Sequence, residues 1–116
     1  QRLKQKDQVF GMRLDGEAKA WPLSEFVGGK VLNDKVGTTN VVLIGDAESG
    51  TVRAYARGEH SFTGEGVLTS DGQAWRVTAG ELIAADGQRL PRLPGHISYW
   101  FAWAGYLGDG SALVGQ

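Results

Sequence analysis

The sequence predicts a mainly β fold: a single-domain antiparallel β-sandwich or partly open barrel of hairpins, with one C-terminal helix. Three observations carry this expectation. Asp-Gly pairs stand at 15–16, 71–72 and 86–87 between short runs of β-forming residues, and that dipeptide suits the positive φ of tight hairpin turns. Eighteen Gly against three Pro, with no fixed period, require many tight turns and exclude a collagen repeat. Near the end, Ile97, Trp100, Phe101 and Ala104 recur at i, i+3, i+4 and i+7, a stripe of helical spacing.

The elements follow in chain order. Val9–Leu14 and Glu17–Leu23 flank Asp15-Gly16 and read as a hairpin, with Trp21 and Leu23 on its inward face and Ala18 and Ala20 on the other. Ser24-Glu25-Phe26 starts one helical turn, which Gly28-Gly29 ends. Lys30–Asn33, Asn40–Ile44 and Thr51–Ala56 are strands. The middle one is continuously apolar, which predicts a central strand buried on both faces. In the third, Arg53, Tyr55 and Arg57 alternate with Val52, Ala54 and Ala56, predicting one polar and one small apolar face. Gly58 to Gly66 is a polar, Gly-rich connection with Phe62 as its anchor. Val67–Thr69 pairs with Ala74–Val77 across Ser70-Asp71-Gly72, and Leu82–Ala84 with Arg89–Leu93 across Asp86-Gly87. Pro91 and Pro94, which donate no ladder hydrogen bond, are expected to end strand pairing. The segment from His96 to Tyr106 is then the expected helix, laid on the sheet. Trp21, Trp75, Trp100 and Phe101 are the expected core aromatics.

A chain of 116 residues allows one domain but hardly two. Residues 1–8, which begin with Gln and carry Arg2, Lys4 and Lys6, read as an N-terminal extension from a longer protein, and 9–116 as a single β-rich domain. No apolar run approaches the ~20 residues of a membrane-spanning helix. Twelve basic and thirteen acidic residues give a net charge of -1, so no global field attracts nucleic acid. The chain has no Cys, which excludes disulfides, a thiolate nucleophile and thiolate metal sites.

The run Phe10-Gly11-Met12-Arg13-Leu14-Asp15-Gly16-Glu17-Ala18-Lys19-Ala20-Trp21-Pro22-Leu23, followed by Val31-Leu32-Asn33-Asp34, resembles the opening of the family known as domain of unknown function 3179. Gly50-Thr51 with Ala54-Tyr55, Trp75 with Gly80 and Ile83, and Leu93-Pro94-Gly95-His96 with Trp100 and Trp103 are similar to its later segments. The resemblance spans roughly Gln8 to Leu113. Members of that family carry Cys-Pro-Leu-Cys-Gly-Thr where this chain has Asp46-Ala47-Glu48-Ser49-Gly50-Thr51, so their paired thiols fall on Asp46 and Ser49. In the family the pair suggests a disulfide, a redox couple or a metal site, and Asp and Ser support neither thiol nor soft-metal chemistry. The family has no settled activity. The resemblance therefore implies a fold and a periplasmic or secreted location in a bacterium or archaeon, and no reaction.

The loop at 45–50 is the expected functional position, with Asp46, Glu48 and Ser49 as speculative ligand-binding residues beside His60 and His96, the two imidazoles of the chain. His96, after Leu93-Pro94-Gly95, is expected to fix the start of the aromatic helix, and His60 to be solvated. Asp34, Asp46 and Glu48 are too few for a tight hard-metal site. Ser49 and Ser61 lack both a nucleophile elbow and a His partner, and the Gly-rich segment lacks a phosphate-loop ending. Arg53, Arg57, Tyr55 and Trp75 form a solvated sheet face rather than a nucleic-acid platform. These readings imply no catalytic residue, no metal and no cofactor. They also imply no nucleic-acid partner and no membrane-spanning segment, and leave other domains of a longer chain as the expected contacts. The expected function is a non-catalytic binding or scaffold domain of an envelope or secreted protein. The alternative is an enzyme or metal-binding protein that uses the acidic 45–50 loop with His60 or His96.

Overall fold

The computed structural model describes residues 7–64, 68–100, 102–103 and 111–113. It opens with the hairpin of β1 (Gln8–Leu14) and β2 (Glu17–Pro22), turned by Asp15 and Gly16 at φ 54° and 75°, the mirror-image turn that the dipeptide favours. A single 3-10 turn, Leu23–Phe26, buries Leu23 and Phe26 and stops at Gly28 and Gly29, both at positive φ. Then follow β3 (Lys30–Val36), β4 (Thr39–Asp46), β5 (Thr51–Ala56), β6 (Thr63–Gly64), β7 (Leu68–Ser70), β8 (Gln73–Val77), β9 (Glu81–Ala84), β10 (Arg89–Leu93), β11 (His96–Tyr99) and β12 (Ser111–Leu113).

Eight strands form one sheet in the order β3-β4-β5-β10-β9-β8-β7-β6, antiparallel throughout, which curls until β6 lies alongside β3. A side chain closes the gap. The Asn33 amide donates to the Phe62 carbonyl at 2.8 Å, and its Oδ1 accepts the Phe62 N–H at 2.9 Å, replacing one rung of a backbone ladder. The barrel is thus nearly closed. Pro91 does not end pairing as expected. It sits inside β10, where the strand passes from β9 (Arg89 to Pro91) to β5 (Arg92 and Leu93), so its missing donor falls at the change of partner. The remaining strands make a four-stranded sheet, β11-β1-β2-β12.

Both faces of β4 are covered. Val41 and Leu43 join Phe10, Met12, Trp21, Leu23, Phe26, Val52 and Ala54 between the two sheets. Val42 points the other way, into the barrel, with Tyr55, Phe62, Trp75, Leu82, Ala84 and Leu90. This matches the central, doubly buried strand expected from its apolar run. The polar face expected for Thr51–Ala56 does not form. Tyr55 is fully buried in the barrel, its hydroxyl donating to the Thr78 carbonyl at 2.6 Å. Arg57 donates to the carbonyls of Val41, His60 and Asp34 at 2.7, 3.0 and 3.0 Å, tying the ends of β3, β4 and β5 together.

The C-terminal helix is the main correction. Residues His96–Tyr99, its expected first turn, are β11, paired with β1 through Gly11↔His96 and Val9↔Ser98. Backbone of helical form begins at Trp100 and includes Ala102 and Trp103, while Phe101 and 104–106 lie outside the described residues. Ile97 packs between the sheets. Trp100 is only half-buried, and Trp103, absent from the expected core, is buried on the far face of the small sheet with Val9, Ala18 and Ala20. Most of the proposed N-terminal extension also lies outside the described residues.

Two carboxylates dock the small sheet onto the barrel. Asp34 of β3 accepts from Lys19 Nζ and Trp21 Nε1 of β2, both at 2.9 Å, and from the Lys35 N–H at 2.8 Å. Partial burial pushes its pKa up, but these hydrogen bonds and the Lys19 charge outweigh it and hold the carboxyl below its ordinary 3.8. Asp15, at the β1–β2 turn, accepts from the hydroxyls of Thr39 (2.6 Å) and Thr38 (3.0 Å) and from the Thr38 N–H (3.2 Å), which lower its pKa as well.

A lowered native pKa contributes stability above the unfolded value, and that contribution is lost as pH falls through the native one. The melting temperature should therefore fall as pH drops below about 4. Asp34→Asn should melt lower at neutral pH yet lose less on acidification, and parallel pH curves for variant and parent would refute this role. Trp21→Ala should cost about 3–5 kcal/mol in denaturant melts, against a clearly smaller loss for half-buried Trp100→Ala.

Candidate functional site

The 45–50 loop leaves the C-terminal end of β4 and is fixed from below by the 3-10 turn. The Phe26 carbonyl accepts the Ala47 N–H at 3.1 Å. Gly45 lies flat on the Phe26 ring, where an added Cβ would stand 2.5 Å from Cδ1. Above this support Asp46 and Ser49 bond within the turn itself. Asp46 Oδ1 accepts the Glu48 N–H at 3.0 Å, a local Asx turn. Ser49 Oγ reaches the Asp46 carbonyl at 3.4 Å and Thr51 Oγ1 at 2.9 Å. Glu48 and Ser49 are exposed, and Gly50 at φ 69° closes the loop into β5.

The two imidazoles stand elsewhere. His60 belongs to the opposite end of the barrel, following Arg57, whose N–H bonds Asn40 at the start of β4. From Asn40 to Asp46 the strand runs about 20 Å. His60 Nδ1 lies 3.1 Å from Ser70 Oγ, and its ring packs edge-on against Trp75 and tilts against Phe62, at 5.0 and 5.9 Å between centroids. It is half-buried and plugs that barrel end, a correction to the solvated side chain expected from sequence. His96 starts a strand rather than a helix. It is exposed on the small sheet, its ring 5.8 Å from that of Trp103.

The structure therefore groups Asp46, Glu48 and Ser49 in one turn and brings neither His60 nor His96 to them. Asp34 does not join them either, since its carboxylate is turned to Lys19 and Trp21 between the sheets. Among the described residues no three His, Asp or Glu side chains are grouped so as to hold a metal ion. Ser61 is exposed. The residues of the imagined nucleic-acid platform are dispersed, with Tyr55 and Trp75 in the barrel core and Arg57 bound to carbonyls. Sequence reasoning missed Asn33, Asp15 and Arg57 as structural ties. Their signal was positional, a polar residue inside or beside an apolar strand, and the partners are too distant in sequence to name. No described helix is long and apolar enough to cross a membrane.

The chain matches the family model described as protein of unknown function, DUF3179, over residues 1–110, and it belongs to that family. No curated protein and no solved structure matches it. The family segments at Gly11, Trp21 and Asn33-Asp34 coincide here with the close approach of Trp103, the docking of the two sheets and the closure of the barrel.

The support beneath the loop is steric and can be tested. Gly45→Ala should lose about 1–3 kcal/mol by overpacking against Phe26, although nothing else in the loop changes. Equal stability of variant and parent would show that the ring has room to move.

Proposed function

We propose that this family member is a non-catalytic binding or scaffold domain of a bacterial or archaeal envelope or secreted protein, working beside other domains of a longer chain. One observation carries the reading. Asp46 and Ser49 bond within their own turn, Glu48 turns to solvent, and the two imidazoles lie apart from the loop and from each other. General acid–base or metal chemistry needs such groups within hydrogen-bond reach of one reacting atom. The alternative, an acidic loop acting with His60 or His96, requires a convergence this arrangement opposes, because His60 is held at the far barrel end and His96 on the other sheet. The proposed location draws on the family resemblance alone, and fractionation of the source cells tests it: recovery only with the cytosol would overturn it.

The loop keeps the scaffold of a ligand position, a turn held rigidly at the end of a doubly buried strand. With Asp46 and Ser49 at the positions of the family's paired thiols, its remaining donors are hard oxygens, and two carboxylates give too few for tight binding. Titration calorimetry with Zn²⁺, Cu²⁺ and Ca²⁺ is the test. Weak or undetectable heat is expected for all three. Submicromolar Zn²⁺ or Cu²⁺ binding that disappears in Asp46→Ala would overturn the non-catalytic reading in favour of a metal protein.

A further inference from the structure

We infer that the outer face of the β8–β9 hairpin carries a binding site for a small organic carboxylate with an apolar body, anchored by Arg76. An open hollow of about 390 Å³ lies there, lined by Ala74, Trp75, Arg76, Ile83, Ala84 and Ala85. That volume falls within the ~300–1,000 Å³ of small-molecule sites. Its shape follows from the pleat. Trp75 and Ala84 pair across the two strands and belong to the barrel core, so the outer face is left to their neighbours. Arg76 and Ile83 pair on that face, and Ala74 and Ala85 share it, each two residues away along its strand. Two long side chains beside two methyl groups leave the hollow between them.

Charge decides the class of ligand. Arg76, Ile83 and Arg89 form one row across β8, β9 and β10. Arg89 is neutralised by its ion pair with Glu81. Exposed Arg76 has no hydrogen bond or carboxylate partner among the described residues. A guanidinium is weakly hydrated and presents paired donors in one plane, which match the two oxygens of a carboxylate. The methyl groups of Ala74 and Ala85 and the Ile83 side chain match an apolar body. Asp71 and Asp86 stand in the turns that adjoin Ala74 and Ala85, so a bound carboxylate points to Arg76 and its apolar end to the alanines. Arg53 shows what the hollow adds. It too has no partner among the described residues, but it lies on the barrel side of β5 opposite Ile44, with Asp46 next on the same face of β4, and it does not line this hollow.

Benzoate is the probe, titrated into the isotope-labelled full chain and followed by NMR. Saturable shifts are expected at the Arg76 Nε–H and at the Ala74, Ile83 and Ala85 methyls, with weak affinity set by the few atoms of the probe. Acetate keeps the charge without the apolar body, and benzamide keeps the ring without the charge. Each should bind at least about tenfold more weakly than benzoate, the effect of roughly two buried methylenes or one charge-assisted hydrogen bond. Arg76→Gln should abolish the preference for benzoate over benzamide, whereas Arg53→Gln should keep it. Ala74→Leu, which fills the hollow and leaves the charge, should weaken benzoate at least about tenfold as well. Amide shifts away from the hollow verify that each variant keeps its fold. Shifts that never saturate, an undiminished preference in Arg76→Gln, an equal loss in Arg53→Gln or undiminished binding in Ala74→Leu would each overturn the site. Metal titration of the 45–50 loop reports on the proposed function without touching this hairpin, so failure of one does not imply failure of the other.

Discussion

The double burial of β4 is the constraint on which the rest of this architecture depends. Val41, Val42 and Leu43 are consecutive and fully buried, so successive side chains of one strand must find cover on opposite faces of the sheet. An antiparallel sheet commonly leaves one face to water. Here the inner face is covered by curling the eight-stranded sheet until Tyr55, Phe62, Trp75 and Leu82 meet Val42. The outer face is covered by laying a second, four-stranded sheet against Val41 and Leu43. Neither device suffices alone, because a closed barrel without the small sheet would expose Val41 and Leu43, and a flat sandwich would expose Val42.

Two adjacent residues of the neighbouring strand hold both devices in place. On β3, exposed Asn33 joins the Phe62 backbone across the gap between β3 and β6, while Asp34, on the other face of the strand, bonds Lys19 and Trp21 of the small sheet. The period of two along a strand makes this division unavoidable once the register is set. Slippage of β3 by one residue would send the amide into the intersheet core and the carboxylate into the barrel, where each would lose its partners. Both sets of hydrogen bonds would be lost together, so the pair favours one register for β3 in addition to stabilising it.

The hairpins were legible because their causes are local. Asp15-Gly16 adopts the positive φ values its residues tolerate, and the apolar run of β4 needs no partner to be recognised. What was not legible depends on pairing between distant segments. His96-Ile97-Ser98-Tyr99 alternates polar and apolar residues as well as opening a helical stripe, and the choice is made by the free edge of β1, almost the whole chain away. Similarly, β6 is a two-residue strand whose formation depends on β7 and β3. The candidate site follows the same division. The turn at 45–50 could be placed from Gly50 and the strands around it, but the separation of His60 and His96 from it is a property of strand order alone.

This division also explains how Asp46 and Ser49 can occupy the 45–50 turn without disturbing it. The turn is positioned by the Phe26 carbonyl, by the flat contact of Gly45 on the Phe26 ring and by the positive φ of Gly50, none of which involves the side chains at 46 and 49. Those two side chains find partners inside the turn, Asp46 at the Glu48 N–H and Ser49 at Thr51. Both residue types favour such local bonds, which supports a turn as readily as a bond between two side chains would. The structural demands at this position therefore fall on the backbone, on Phe26 and on the glycines, which leaves the identity of residues 46 and 49 free of them.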